Sequence, residues 1–285
     1  MLITTLAFAL AFGLSRPPVV QSQYSFAVRV VGRGKPMILI PGLSCGGDVW
    51  DSTVAHYKDR YKCYILTLPG FAGQPPIAPP ILPKVHDEII SYISQNHLDH
   101  PVVVGHSLGG TMALWIAATS PESVGKVVAV DGVPFLPVLM NPSANVKSIK
   151  PLAESVRAML GKQTPTAFAA SNKQSLGFMI TSSKDVEMIQ KTSSLSDPKS
   201  VGEAVYEMFL MDLRPDMAKV QSPVLLLAAG SGFKTPEQQK GALDSYEAQI
   251  RGIPNCHVKL AVKARHFIML DDPDFYFREI DAFLK

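Results

Sequence analysis

The sequence predicts an α/β fold, a doubly wound and mostly parallel sheet with a helical segment inserted after the strand that ends at Asp131. Three observations carry this. Short apolar runs recur along the chain and most are continuous rather than alternating, as in strands covered on both faces. Longer helical stretches separate them, in strand–helix order. The rhythm stops between Val133 and Arg214, where no strand-like run occurs.

Taken in order, residues 26–31 alternate apolar and polar as an edge strand does, and the Gly32–Pro36 stretch (GRGKP) turns the chain into the run 37–40, closed by Pro41 and Gly42. Continuous runs follow at 63–68, 101–104, 126–130, 224–228 and 257–262. Helices are expected at 84–95, at 108–119 before Pro121, at 237–251 before Gly252 and Pro254, and at 274–284. The last has Asp272 as N-cap and Pro273 at its first position. In the interval without strands, helices are expected at 151–160 and 202–213, joined by loops rich in Ser, Asn, Lys and Pro. The same interval holds Met140, Met159, Met179, Met188, Met208 and Met211, which either fill a helical core or form an adaptable apolar wall over a site. The expected organisation is a leader over 1–23, a core of 24–132 and 215–285, and a helical cap over 133–214.

Composition narrows the class. The chain has 285 residues, 47% hydrophobic and 18% charged, too apolar for a disordered chain. A net charge of +3, with no basic block, argues against nucleic acid as a partner. Cys45, Cys63 and Cys256 are far apart and odd in number, which excludes a disulfide framework and any CxxC motif. No HExxH, no paired His and Cys ligands, no P-loop spacing and no GxGxxG after a strand occur, so neither metal nor cofactor is expected. Residues 2–14 form an apolar run, too short at about 20 residues per span to cross a bilayer. It fits the h-region of a cleaved secretory signal, although no basic residue precedes it. A secreted or periplasmic protein without a stable membrane span is expected, its mature chain starting between Leu14 and Tyr24.

The most informative motif is Gly105-His106-Ser107-Leu108-Gly109-Gly110, set between a predicted strand and a predicted helix. In that context a GxSxG run is a nucleophile elbow. The turn at the serine is so sharp that residues two before and two after it must lack side chains. The serine is then held at the tip of the sheet above a helix N-terminus.

With this motif, and with IPGLSCGGDVWD, LPGFAG, VVVGHSLGG and ARHFIMLDDP following as landmarks in order, the chain from Phe26 onward resembles the α/β-hydrolase fold family. The resemblance implies a serine nucleophile, then an acid, then a histidine along the chain. Ser107 matches the nucleophile and His266 the general base. The oxyanion hole would be the N–H groups of Leu108 and Leu43, with Pro41 where the family often has His. His106 is expected to pack behind the serine, Cys45 to pack, and His56, His86, His97, His100 and His257 to be surface or packing residues. A haloalkane dehalogenase is excluded, because it needs a carboxylate where Ser107 stands.

The acid departs from the family's common pattern, since the run 224–228 leads into 229–235 without a carboxylate. Asp131, at the end of the preceding strand, is the favoured acid and also fits an Asp-Gly turn. Glu237 is the alternative, and Asp212 or no acid remains open. A serine hydrolase acting on a small carboxylic ester with an apolar acyl group is therefore expected. Two other readings stay open: a peptidase resembling proline iminopeptidases, with Glu154, Asp185, Glu187, Glu203 or Glu207 receiving an amino group, and a binding protein of the same fold without turnover. The natural ester and the oligomeric state are not encoded legibly.

Overall fold

The computed structural model describes residues 23–285. The expected signal segment therefore lies outside the described residues. The elements are β1 (Ala27–Gly32), β2 (Lys35–Ile40), α1 (Asp51–Tyr57), β3 (Tyr61–Thr67), α2 (Ile81–Gln95), β4 (Val102–His106), α3 (Leu108–Thr119) and β5 (Lys126–Val130). Five helices follow without a strand: α4 (Pro137–Met140), α5 (Val146–Gly161), α6 (Pro165–Met179), α7 (Ser183–Ser193) and α8 (Pro198–Leu210). The chain then closes with β6 (Val224–Ala229), α9 (Pro236–Ile250), β7 (Cys256–Ala261), α10 (Ile268–Asp271) and α11 (Pro273–Leu284).

The strands form one sheet in the order β1-β3-β2-β4-β5-β6-β7, with β1 antiparallel to β3 and every other pairing parallel. The period of two divides the apolar residues between its faces. Ile38, Ile40, Val103, Val127 and Leu226 pack against α2, α3 and α9 on one face. Met37, Leu39, Val104, Val128, Val130 and Leu227 pack against α1 and α11 on the other. Central strands covered on both sides read as continuous apolar runs for this reason. Strand order reverses between β2 and β4, so a crevice opens beyond the C-terminal strand ends there.

The structure corrects two expectations. The run around 257–262 is not a strand buried on both faces; β7 is the far edge of the sheet and alternates half-buried and exposed residues. The stretch between the two predicted helices of the insertion is not loop, because α6 and α7 occupy most of it. Both helices carry a signal in their caps. Thr164 accepts from Ala167 N–H with Pro165 at the first helical position, and Ser182 accepts from Asp185 N–H.

The inserted helices are tied to the core by polar contacts. Glu207 on α8 accepts the N–H groups of Ile81 and Leu82 at 2.8 and 2.6 Å, supplying the N-terminal cap that Pro80 cannot give α2. Asp271 accepts from Thr181 and Arg265, and Arg265 donates back to the carbonyls of Gly177 and Ile180. The segment carrying His266 is thereby clasped to α6. Among the described residues no helix is long and apolar enough to cross a membrane.

Candidate active site

Ser107 is the only residue between β4 and α3, and its φ of 54° and ψ of −119° lie where L-residues rarely go. Such a conformation costs of order 1–3 kcal/mol and persists only if its surroundings fix it. Here Ser107 N–H donates to Val130 C=O at 2.8 Å, and its own carbonyl accepts from Gly110 and Thr111 at 2.9 and 3.1 Å. The glycines make the turn sterically possible. A Cβ on Gly105 would stand 1.9 Å from Gly109 O, and one on Gly109 would stand 2.1 Å from Ile40 O. A third glycine serves the same approach, because a Cβ on Gly132 would meet Ser107 O at 2.5 Å.

Asp131 follows β5 directly, in the left-handed region at φ 49°, a conformation Asp tolerates better than most residues. Its Oδ2 lies 2.6 Å from His266 Nδ1, and its Oδ1 accepts from Ala229 N–H at 2.9 Å and Tyr246 O–H at 2.8 Å. Burial alone would raise the Asp131 carboxyl, but the hydrogen bond and charge of His266, with the bonds from Ala229 and Tyr246, outweigh it and hold the group below its ordinary value. Asp131 is thus an anion whose partner is the Nδ1–H of His266, which leaves Nε2 as the basic nitrogen.

His106 sits behind this pair, fully buried, and donates Nε2–H to the carbonyl of His266 at 3.1 Å. Its ring lies against those of His266 and Phe267, with centroids 4.6 and 4.5 Å away. Burial first, and then the neighbouring His266, pushes its pKa down to about 3. His106 is therefore a neutral donor that fixes the backbone of the His266 segment.

Ser107, His106, Asp131 and His266 line one cavity of about 790 Å³. Ser107 Oγ makes no hydrogen bond to His266 among the described residues; such bonds are commonly long in unliganded enzymes and tighten around a substrate. Gly42 and Leu43 reach the same cavity from the end of β2, and a Cβ on Gly42 would lie 3.2 Å from Ser107 Cβ. The N–H groups of Leu43 and Leu108 have no acceptor among the described residues. That of Leu108 lacks one because it opens a helix.

The rest of the wall comes from the inserted helices and is mainly apolar: Leu139, Leu160, Phe168, Leu176, Val205 and Phe209 are among its residues. Of the six methionines singled out, Met140, Met179 and Met208 line the cavity. Met159 and Met188 are exposed on the outer surface, and Met211 lies outside the wall, so these three do not belong to an apolar lining.

The structure does not bring Glu237 to His266. It stands exposed in the first turn of α9 behind Pro236. Asp212 pairs with Arg214 instead. Nor do Glu154, Asp185, Glu187, Glu203 or Glu207 line the cavity, and Asp131 is its one carboxylate among the described residues. The iminopeptidase reading thus loses its amino-group site. Cys45 is buried and its thiol is pushed up to about 12 by burial, with Asp48 adding to it, as suits a packing cysteine. All three cysteines are free. Tyr246 and Ala229 were not legible in the sequence as site residues, since Tyr246 reads there as one apolar position of a helix.

A family model described as the alpha/beta hydrolase family matches residues 37–279. The chain belongs to that family. Its pimeloyl-[acyl-carrier protein] methyl ester esterase relative from Aliivibrio fischeri strain MJ11 is 21% identical over 261 residues, covering 89% of this chain and 95% of that protein. A 3-oxoadipate enol-lactonase 2 from Acinetobacter baylyi is 22% identical over 260 residues, covering 87% and 88%. In three dimensions, a thermophilic esterase from Thermogutta terrifontis superposes with a TM-score of 0.73 at 17% identity, covering 91% of this chain and 92% of that one. At the level these relatives share, the chain is a hydrolase with the α/β-hydrolase fold.

Proposed function

We propose that this hydrolase cleaves a carboxylic ester through an acyl-enzyme formed on Ser107. A serine hydroxyl is a weak nucleophile at neutral pH and needs a base within reach. His266 Nε2 takes the Oγ proton as Oγ attacks the ester carbonyl, and the imidazolium returns that proton to the departing alcohol. Water then repeats the cycle on the acyl-enzyme. Asp131 holds Nδ1–H, fixing the tautomer and stabilising the imidazolium, and the N–H groups of Leu43 and Leu108 receive the oxyanion. The observation that carries the reading is the 2.6 Å contact between Asp131 Oδ2 and His266 Nδ1, made in the cavity that Ser107 lines.

The inserted helices act as a cap that sets acyl specificity, the apolar wall receiving the chain of a small ester. Extending an acetyl to a butyryl group buries two more methylenes, worth about 1.6 kcal/mol or roughly fifteenfold at full burial. Among p-nitrophenyl esters, medium acyl chains should exceed acetate in kcat/KM by about tenfold or more. A flat or falling profile would reject the acyl-pocket assignment, and no turnover of any ester would reject the reaction. Residues 2–14 support export to a secreted or periplasmic location. Mass spectrometry of the native protein should find a start between Leu14 and Tyr24, and an intact Met1 in a soluble cytoplasmic fraction would refute export.

A further inference from the structure

The proposed acid sits one strand away from the place where the family commonly carries it. The sheet compensates through the strand that lacks it. β6 ends at Ala229, and instead of a carboxylate it presents the Ala229 N–H to Asp131 Oδ1. A second donor reaches the same oxygen from α9, the Tyr246 hydroxyl at 2.8 Å. Oδ2 is left to face His266 alone.

We propose that Tyr246 is a positioning residue of this site, turning the Asp131 carboxylate so that Oδ2 is aimed at His266 Nδ1. The inference rests on the serine-hydrolase reading above. An Asp χ2 is a broad, roughly two-fold torsion with no steep preference of its own. One donor fixes one oxygen but lets the carboxylate swing about it. Two donors from different elements, one from a strand end and one from a helix, fix its plane. Tyr246 is suited to this work because it is buried, with 7% of its surface exposed, and its ring is packed in the core beside Ile250. Burial, with the adjacent Asp131 carboxylate, pushes its phenol far up, so it remains a protonated donor. The phenol acts through Asp131 and His266.

Tyr246→Phe keeps the ring and removes only the hydroxyl. Ester kcat should fall on the order of ten- to a hundredfold, the usual cost of loosening an orienting partner, with KM nearly unchanged. In the Asp131→Asn background the same substitution should cost far less than in the wild type, because its effect runs through the carboxylate. By NMR, the wild type should show a far-downfield proton resonance for the His266 Nδ1–H bond, and that resonance should shift or broaden in Tyr246→Phe. Tyr276→Phe supplies the control: that buried tyrosine pairs with Thr53 on the other face of the sheet and should alter stability without altering kcat.

A kcat within threefold of wild type, an additive double-mutant cycle, or an unmoved resonance would each overturn the proposal. If the wild type turned over no ester, the reaction reading would fail at that point, while the NMR comparison would still decide the role of Tyr246.

Discussion

Replacing Asp131 by Asn changes one atom's chemistry, and the hydrogen bonds around it dictate the result. Oδ1 receives two donors, Ala229 N–H and Tyr246 O–H, so an amide NH2 placed there would face a backbone N–H at 2.9 Å. The amide oxygen therefore stays at Oδ1 and the NH2 takes the place of Oδ2, opposite His266 Nδ1 at 2.6 Å. Two donors cannot face each other at that distance. Nδ1 must give up its proton and accept, which moves the proton to Nε2, the atom that has to receive the Ser107 proton. The imidazolium also loses its anionic partner. Replacing a triad acid by its amide lowers kcat about ten-thousandfold, which corresponds to roughly 5.5 kcal/mol of barrier. Steady-state hydrolysis of p-nitrophenyl butyrate by Asp131→Asn, beside circular dichroism melts, measures this directly. Glu237→Gln, exposed on α9, should change kcat by less than twofold. An Asp131→Asn enzyme within tenfold of wild type, or a larger loss in Glu237→Gln, would refute the reasoning.

The elbow makes a stability prediction with its own control. Gly109→Ala should cost several kcal/mol or prevent folding, since its Cβ would stand 2.1 Å from Ile40 O, whereas Gly177→Ala on α6, with nothing within 4 Å, should stabilise by about 0.5–1 kcal/mol in thermal melts; equal melting temperatures would contradict the steric account. His106, neutral in the fold with a pKa near 3, is protonated in the unfolded chain below its ordinary value of 6.5, so the unfolded state binds the extra proton and stability falls as pH drops through that window. His106→Gln keeps a donor of similar reach to the His266 carbonyl and removes this titration, so its stability between pH 6.5 and 3 should decline less steeply than that of wild type, and an unchanged slope would show that His106 is not buried neutral.

What could be read in the sequence follows from which signals are local. The central strands were legible because burial on both faces makes each an unbroken apolar run. β7 was misread as a continuous run although His257 and Lys259 alternate with Val258 and Leu260, the period-two pattern of a strand with one exposed face. α6 escaped because its apolar residues fall on no single stripe, while Thr164-Pro165, a cap followed by a first-turn proline, was a signal available to find it; α7 escaped because its stripe is short, with Val186 and Ile189 its buried apolar residues. Ser107 was legible because the elbow's glycines are local in sequence. Asp131 could be placed only by position at a strand end, and Tyr246 not at all, because the bond that gives it a role spans 115 residues. The methionines divided between wall and surface because composition does not say which face of a helix turns inward.

The central claim is that Ser107 is the nucleophile, and covalent trapping tests it most directly. Incubation with a fluorophosphonate, proteolysis and peptide mass spectrometry should place one adduct per chain on Ser107. Ester hydrolysis should vanish in step with labelling. A folded Ser107→Ala protein should take no label and lose activity on the order of a millionfold. An adduct on another residue, or near-normal ester hydrolysis by folded Ser107→Ala, would contradict the account.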